Sequence, residues 1–215
     1  MLNKRLKAIT ELIEPCEVLM DVGSDHGFLP LYLLLNKKIK HAIIGEINQG
    51  PLEQAKKNFR DYANLSVSYL LSDGLKQNNQ KLDAVVIAGM GYETIEHIIL
   101  QDIEQFKSIS QILIQSNTKN DQLRQFLNDN HFSIIDESIV KDRKYFYPVI
   151  KVKYDQNKQL LNKSEILFGP ILIQKNTDIF KDYLLFQKGI EEKILVAQKK
   201  ESSEKILMIN KLLGL

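Results

Sequence analysis

A short turn after an apolar segment contains the first residues whose types and spacing suggest chemistry. The apolar segment ends in Asp21, and the turn that follows contains Gly23 and Gly27. This pattern predicts a buried β-strand leading into a helix, with the turn at the carboxyl edge of a parallel sheet, where nucleotide cofactors bind. Glycine has no Cβ, so the backbone can turn tightly and approach a ligand. A tight strand-to-helix connection that binds no ligand would have the same sequence pattern. Other residues must therefore distinguish the two interpretations.

Two further acids follow predicted strands. Glu46, with Ile47 after it, lies about 20 residues beyond the glycine turn, where a carboxylate would accept both hydroxyls of a ribose. Asp73 is placed to accept the exocyclic amine of an adenine, and Gly74 would let the ring lie flat. Glu46 could instead be an acid that is exposed at the rim of the sheet by chance, and Asp73 could instead form an Asx turn. Acids at three successive strand ends favour a nucleoside site.

The charge of the first turn indicates which cofactor binds there. A pyrophosphate would face the carboxylates of Asp21 and Asp25, and like charges oppose binding. S-adenosylmethionine has no phosphate and carries an ammonium and a sulfonium, which favour acidic neighbours. His26 could hydrogen-bond the donor's carboxylate or a target base. The predicted donor-site residues are Asp21, Gly23, Ser24, Asp25, His26, Glu46, Ile47, Asp73 and Gly74.

A second glycine-containing turn, Ala88-Gly89-Met90-Gly91, follows the fourth predicted strand. Methyltransferases that act on base amino groups often have Asn/Asp-Pro-Pro-aromatic here, and this chain does not. Because of its two glycines, the loop exposes backbone groups and leaves one of its faces uncovered. Met90 or Tyr92 could pack against a base there. The predicted catalytic residues are Asp25, His26, Gly89 and Met90, although a plain turn fits Gly-Met-Gly equally well.

The hydrophobic pattern predicts an α/β fold that brings these turns together. Five strand–helix units come first, and two strands joined by the charged turn 141–144 then close the sheet with an antiparallel edge. This doubly wound sheet is the class I, Rossmann-like methyltransferase layout, with a domain spanning residues 1–154. Residues 155–215 contain Phe168-Gly169-Pro170 and then apolar residues at helical spacing, which predict a coiled-coil-like antiparallel helical hairpin.

Composition limits the possible function classes. The net charge of +2 gives no general indication of nucleic-acid binding, so any RNA contact must come from local patches. One cysteine excludes an internal disulfide and a thiolate metal cluster, and the sequence predicts no metal site. No signal peptide and no long apolar stretch are recognisable. We expect a cytoplasmic monomer without an obligate protein partner.

Four strings together resemble the bacterial TrmK family of tRNA adenine-N1 methyltransferases, which act on adenine 22 of the D-arm. These strings are Asp21-Val22-Gly23-Ser24-Asp25-His26, Ile87-Ala88-Gly89-Met90-Gly91, Gln115-Ser116-Asn117 and Phe168-Gly169-Pro170. The first departs from the acid-x-Gly-x-Gly-x-Gly motif of class I methyltransferases, because Asp25 replaces the middle glycine. The resemblance covers almost the whole chain. It implies S-adenosylmethionine as cofactor, tRNA as partner, and a tail that holds tRNA.

The predicted RNA-binding residues lie on the hairpin between the last two strands, where bases alternate with aromatics: Lys141, Arg143, Lys144, Tyr145 and Tyr147, with Phe146 between them. In the tail, Lys188, Lys193, Lys199 and Lys200 could contact phosphates. A charged hairpin turn that binds no RNA would also account for the first set of residues. A solvated helix face would account for the tail lysines. Without the resemblance, a methyltransferase for a protein or small molecule, or a non-catalytic binding module, would remain open.

Overall fold

A seven-stranded sheet forms the centre of the protein in a computed structural model, which describes residues 2–198 and 203–215. The strands are β1 (Cys16–Val22), β2 (Ile39–Glu46), β3 (Val67–Leu71), β4 (Ala84–Met90), β5 (Gln111–Ser116), β6 (Phe132–Asp142) and β7 (Tyr145–Tyr154). Their order is β3-β2-β1-β4-β5-β7-β6. The first five are parallel, while β7 runs antiparallel to both β5 and β6. The predicted doubly wound sheet with an antiparallel edge is confirmed.

Helices cover both faces of this sheet. They are α1 (Lys4–Leu12), α2 (Phe28–Leu35), α3 (Gln49–Asn58), α4 (Tyr92–Gln101), α5 (Ile103–Lys107), α6 (Asn120–Asp129), α7 (Lys163–Phe168), α8 (Pro170–Lys175), α9 (Asp178–Gln198) and α10 (Glu204–Leu213). Val85 and Val86, neighbours on β4, are both fully buried and belong to different apolar clusters. Successive side chains of a strand point to opposite faces, so this central strand is covered on both sides.

The tail contains more helix than its periodicity predicts. α9 and α10 form the expected antiparallel pair, in which Lys188 Nζ donates to Asn210 Oδ1 at 2.8 Å. Two shorter helices precede them, around Phe168-Gly169-Pro170, where the sequence pattern predicts no helix. Asn162 and Glu165 form a reciprocal capping box at the start of α7, and Pro170 occupies the first turn of α8. Each short helix has six residues, too few to show a helical repeat.

A buried ion pair connects the tail to the sheet. Arg124 Nε of α6 lies 2.9 Å from Glu137 Oε1 of β6, and both side chains are fully buried. The other oxygen of Glu137 accepts hydrogen bonds from the backbone N–H groups of Ile171 and Leu172 at the start of α8, at 3.0 and 3.3 Å. The first helices of the tail are therefore fixed to the last strands of the sheet.

Residues 2–198 and 203–215 contain neither a candidate membrane span nor a candidate metal site. None of the helices described there is long and apolar enough to cross a membrane. Within the same residues, no group of three or more His, Cys, Asp or Glu side chains is arranged to hold a metal ion.

Candidate active site

The acids that end β1 and β2 meet at the carboxyl edge of the sheet. The two strands are in parallel register there, and the Gly23 N–H donates to the Gly45 carbonyl at 2.8 Å. Asp21 and Glu46 are 4% and 6% exposed, although carboxylates are rarely this buried without partners. The Ser24 hydroxyl donates to Asp21 Oδ2 at 2.5 Å, and the Asp25 backbone N–H donates to Glu46. The turn after β1 therefore joins the two acids.

Burial raises the pKa of both carboxyls. It raises the pKa of Asp21 to about 7, and the negative charge of Glu46 acts in the same direction, while the Ser24 hydrogen bond partly opposes them. Burial also raises the pKa of Glu46, against the effect of the Asp25 N–H. A cation bound between these groups would favour their ionised forms. This arrangement suits a cationic ligand better than an anionic one.

The backbone of the turn requires small or permissive residues. Gly23, Asp25 and Gly27 have φ values of +71°, +58° and +69°. Asp25, which replaces the middle glycine of the class I motif, adopts the left-handed region that Asp tolerates better than most residues. A Cβ on Gly23 would overlap the terminal methyl of Met90. The turn after β1 and the loop after β4 are therefore in direct contact.

A cleft of about 310 Å³ opens at this contact. It is lined by Asn3, Arg5, Leu6, Asp21, Gly23, Ser24, Asp25, His26, Phe28, Leu29, Ala88 and Gly89. His26 lies at its exposed side, 3.3 Å from the Asp25 carboxylate and stacked on Phe28 at 5.5 Å between ring centroids. The structure thus brings the predicted donor turn and the predicted target loop into one cleft.

The other predicted donor residues lie further along the same edge. Asp73 follows β3 and faces Lys76 at 3.6 Å, and the Ser72 N–H donates to the Glu46 carbonyl at 2.8 Å. Gly74 is buried beside α4, and Ile47 is 62% exposed at the rim. Neither Glu46 nor any of these three residues is among the residues that line the cleft in the described part of the chain.

Arg5 is a residue of the cleft that the sequence did not indicate. Its guanidinium nitrogens lie 3.3 and 3.4 Å from the position that a Cβ on Gly89 would take, and its Cζ is 6.0 Å from the centre of the Tyr147 ring. Its Nε is buried and makes no hydrogen bond within the described residues. The periodicity of α1 predicted the helix but not the sheet edge on which it packs. Arg5 adds a cation to the cleft that Asp21 and Asp25 also line.

Comparison with known proteins gives the family. A sequence model described as TrmK, tRNA (adenine(22)-N(1))-methyltransferase, matches residues 19–212. The chain belongs to the TrmK family. The tRNA (adenine(22)-N(1))-methyltransferase of Bacillus subtilis is 31% identical over 185 residues, which cover 83% of this chain and 78% of that protein.

Solved TrmK structures agree with this assignment. A Streptococcus pneumoniae protein in complex with S-adenosyl-L-methionine is 30% identical, with a TM-score of 0.86 over 99% of this chain and 100% of that one. Mycoplasma capricolum TrmK in complex with S-adenosyl-homocysteine is 32% identical, with a TM-score of 0.80 over 99% of this chain and 95% of that one. The predicted family and enzyme class are confirmed.

The target loop of this TrmK chain is held by β5. Gly89 has φ +80°, and the pairing of β4 with β5 shifts between Ala88 and Met90. The Gly89 N–H donates to the side chain of Gln115 on β5. The Gly89 carbonyl accepts from the side chain of Asn117, which follows β5. Their string contributed to the family resemblance, but sequence alone gave these residues no role.

The predicted RNA-binding hairpin lies between α1 and α9. Lys141 is 5.1 Å from the centre of the Phe146 ring and 3.9 Å from Asp182 of the tail. Lys144 lies 5.3 Å from the centre of the Tyr145 ring, which is 52% exposed. Arg143 is exposed at the tip. Tyr147 lies beside Arg5, which lines the cleft that contains the predicted donor turn; we call this the donor cleft.

A second cleft is lined by residues of the hairpin, of the tail and of the segment after β5. It is lined by Asn117, Thr118, Lys119, Asn120, Asp121, Tyr145, Phe146, Pro148, Leu167, Tyr183, Phe186, Gln187, Ile190 and Lys205. Among the predicted tail lysines, Lys188 is half-buried between α9 and α10, and Lys193 is exposed. Lys199 and Lys200 lie outside the described residues. Lys188 therefore has a role in joining the two helices.

Proposed function

We propose that this chain transfers a methyl group from S-adenosylmethionine to N1 of adenine 22 in the D-arm of tRNA. Membership of the TrmK family across residues 19–212 supports the reaction. The observation that carries the proposal is the cleft in which the acidic turn after β1 meets the Gly89 loop after β4. In a doubly wound sheet, a ligand binds outside the carboxyl ends of the strands, where the strand order reverses. Here that position lies between β1 and β4.

The donor fits the side chains at this edge. When bound, S-adenosylmethionine supplies an electrophilic methyl group on a sulfonium. Glu46 would accept the ribose hydroxyls, and Asp73 the adenine amine. Asp21 and Asp25 would lie near the donor's cationic groups. Arg5 would bind its carboxylate, because Arg5 is the guanidinium that lines an otherwise acidic cleft.

The chain needs no strong general base for this reaction. Adenine N1 is unprotonated at neutral pH and has a lone pair, so no proton must be removed first. The residues of the site must instead hold the extruded base in line and stabilise the positive charge that develops on it. Gly89 and Met90 would shape the base slot, and His26 would contact the base. The Asp25 carboxylate would offset the charge of the product.

The hairpin and the tail would hold the RNA. Tyr145 is exposed beside Lys144, an arrangement that suits stacking of an unpaired base together with contact to a phosphate. The second cleft extends from this hairpin to Asn117, which hydrogen-bonds to Gly89 of the target loop. Residues 155–215 would act as the tRNA-holding segment on the methyltransferase domain of residues 1–154.

We propose that the protein acts as a cytoplasmic monomer. The residues that line each cleft belong to one chain. The mass of the protein in solution, measured by light scattering with and without tRNA, tests this. A stable dimer would contradict it.

Nucleoside mass spectrometry tests the reaction. Unmodified tRNA is incubated with the protein and S-adenosylmethionine, then digested. We expect new 1-methyladenosine, its loss in Asp21→Ala, and its loss when position 22 of the tRNA is changed from A to G. Methylation of another nucleoside, or of no nucleoside despite donor binding, would contradict the proposal.

A further inference from the structure

Three hydrogen bonds form a closed ring beside the target loop. The Gly89 N–H donates to Gln115 Oε1 at 3.1 Å, and Gln115 Nε2 donates to Asn117 Oδ1 at 3.2 Å. Asn117 Nδ2 then donates to the Gly89 carbonyl at 2.7 Å. A backbone N–H can only donate and a carbonyl can only accept, so one orientation of each side-chain amide satisfies all three bonds. The ring therefore fixes the Gly89 peptide groups and both amides together.

The ring stabilises a loop conformation that the chain would not keep by itself. Gly89 is in the left-handed region, at the register shift between β4 and β5. Gln115 is fully buried, so an unpaired amide there would be costly. The Asn117 N–H also donates to the Met90 carbonyl at 2.8 Å. Two successive residues of the loop are thereby fixed to the end of β5.

We infer that Gln115 and Asn117 are positioning residues for methyl transfer, which rests on the proposed function. Gly89 lines the donor cleft and Asn117 lines the second cleft, so the ring connects a residue of one cleft to a residue of the other. Gln115 is buried, and it acts through Gly89. A base held on the Gly89–Met90 loop must present N1 in line with the donor. Misplacement by about 1 Å costs on the order of 100-fold in rate.

The opposite end of β5 provides a matched control. Gln111 is 8% exposed, its Oε1 accepts the Glu14 N–H at 2.9 Å, and its Nε2 donates to the Glu14 carbonyl at 3.2 Å. It therefore holds a backbone segment through its amide as Gln115 does, on the same strand and at similar burial. It lies at the other edge of the sheet, away from both clefts. If each glutamine contributes only to stability, replacing either one should have a similar effect on the melting temperature and on kcat.

The experiment compares Gln115→Met, Asn117→Ala and Gln111→Met with the wild type. Three quantities are measured: kcat for 1-methyladenosine formation at saturating tRNA and donor, the Kd of S-adenosylhomocysteine, and the melting temperature. We expect similar melting temperatures for the two Met variants. The kcat should fall about 10- to 100-fold in Gln115→Met and Asn117→Ala, and by less than about twofold in Gln111→Met. The Kd should stay within about twofold throughout.

Two outcomes would overturn the positioning role. The first is an equal kcat in Gln115→Met and Gln111→Met. The second is a Kd of S-adenosylhomocysteine that rises as kcat falls, which would mean that the ring supports donor binding. If Gln115→Met does not fold, Asn117→Ala decides, because Asn117 is exposed. A wild type that forms no 1-methyladenosine would refute the proposed function as well, whereas an active wild type with unaffected variants would refute the positioning role alone.

Discussion

At the scale of single residues, we expect Asp21 to couple proton binding to donor binding. Burial raises the pKa of Asp21 to about 7, from 3.8. The cationic donor would need the ionised carboxylate, so binding below pH 7 would have to displace a proton. We expect the Kd of S-adenosylmethionine to rise about tenfold between pH 8 and pH 6. Isothermal titration calorimetry at three pH values measures it.

Asp21 should also affect the stability of the protein without donor. A carboxyl with a raised pKa in the folded state favours folding at low pH, and this advantage is lost as the pH rises from about 4 to about 7. Asp21→Asn should therefore stabilise the protein at pH 8, by at most about 4 kcal/mol, and not at pH 4. It should bind the donor weakly and with a smaller pH dependence than the wild type, because only Glu46 then keeps a raised pKa among these two acids. Asp83→Asn, at the opposite edge of the sheet, should keep the wild-type pH dependence, and loss of that dependence there would argue against Asp21.

Arg5 can be tested with ligands that differ in one group. S-adenosylhomocysteine has the amino-acid carboxylate, and 5′-methylthioadenosine lacks it. If Arg5 binds that carboxylate, Arg5→Ala should weaken the first ligand about 10-fold or more, the usual value of a charged hydrogen bond, and leave the second unchanged. Lys7→Ala, on the exposed side of the same helix, should change neither. A raised KM for tRNA with unchanged affinity for both ligands would instead assign Arg5 to a phosphate.

At the scale of elements, the junction between tail and sheet depends on one buried carboxylate. Glu137→Ala would leave Arg124 buried without its partner and free two N–H groups of α8. Breaking a buried pair in this way costs about 3–5 kcal/mol, and we expect that loss in the free energy of unfolding by denaturant. Glu17→Ala removes an exposed pair with Lys40 and should cost less than about 1 kcal/mol. Equal losses would contradict a special role for the junction.

The elements also show what sequence could predict. Asp21 and Glu46 were predictable because acids that end neighbouring parallel strands must meet at one edge. Arg5 was not, because nothing in the pattern of α1 shows on which edge the helix packs. The Gln115 ring depends on the register shift between β4 and β5, which is a property of the paired strands. The helices α7 and α8 were missed because six residues do not reveal a period.

At the scale of the whole molecule, the salt dependence of tRNA binding can distinguish the contribution of the charged hairpin from that of the donor cleft. Arg143 and Lys144 are exposed at the hairpin tip, away from the acids of the donor cleft. If both contact phosphates, Arg143→Glu with Lys144→Glu should lower tRNA affinity, and the slope of log K against log salt should become shallower by about 0.7–0.9 per lost contact. The Kd of S-adenosylhomocysteine should not change. Lys40→Glu, a charge reversal at the opposite edge of the sheet, should leave the slope unaltered. The control changes the net charge by two units and the double variant by four. A loss of affinity in the control about half as large as in the double variant would therefore mean that only net charge matters, because a specific hairpin contact predicts an effect that depends on position.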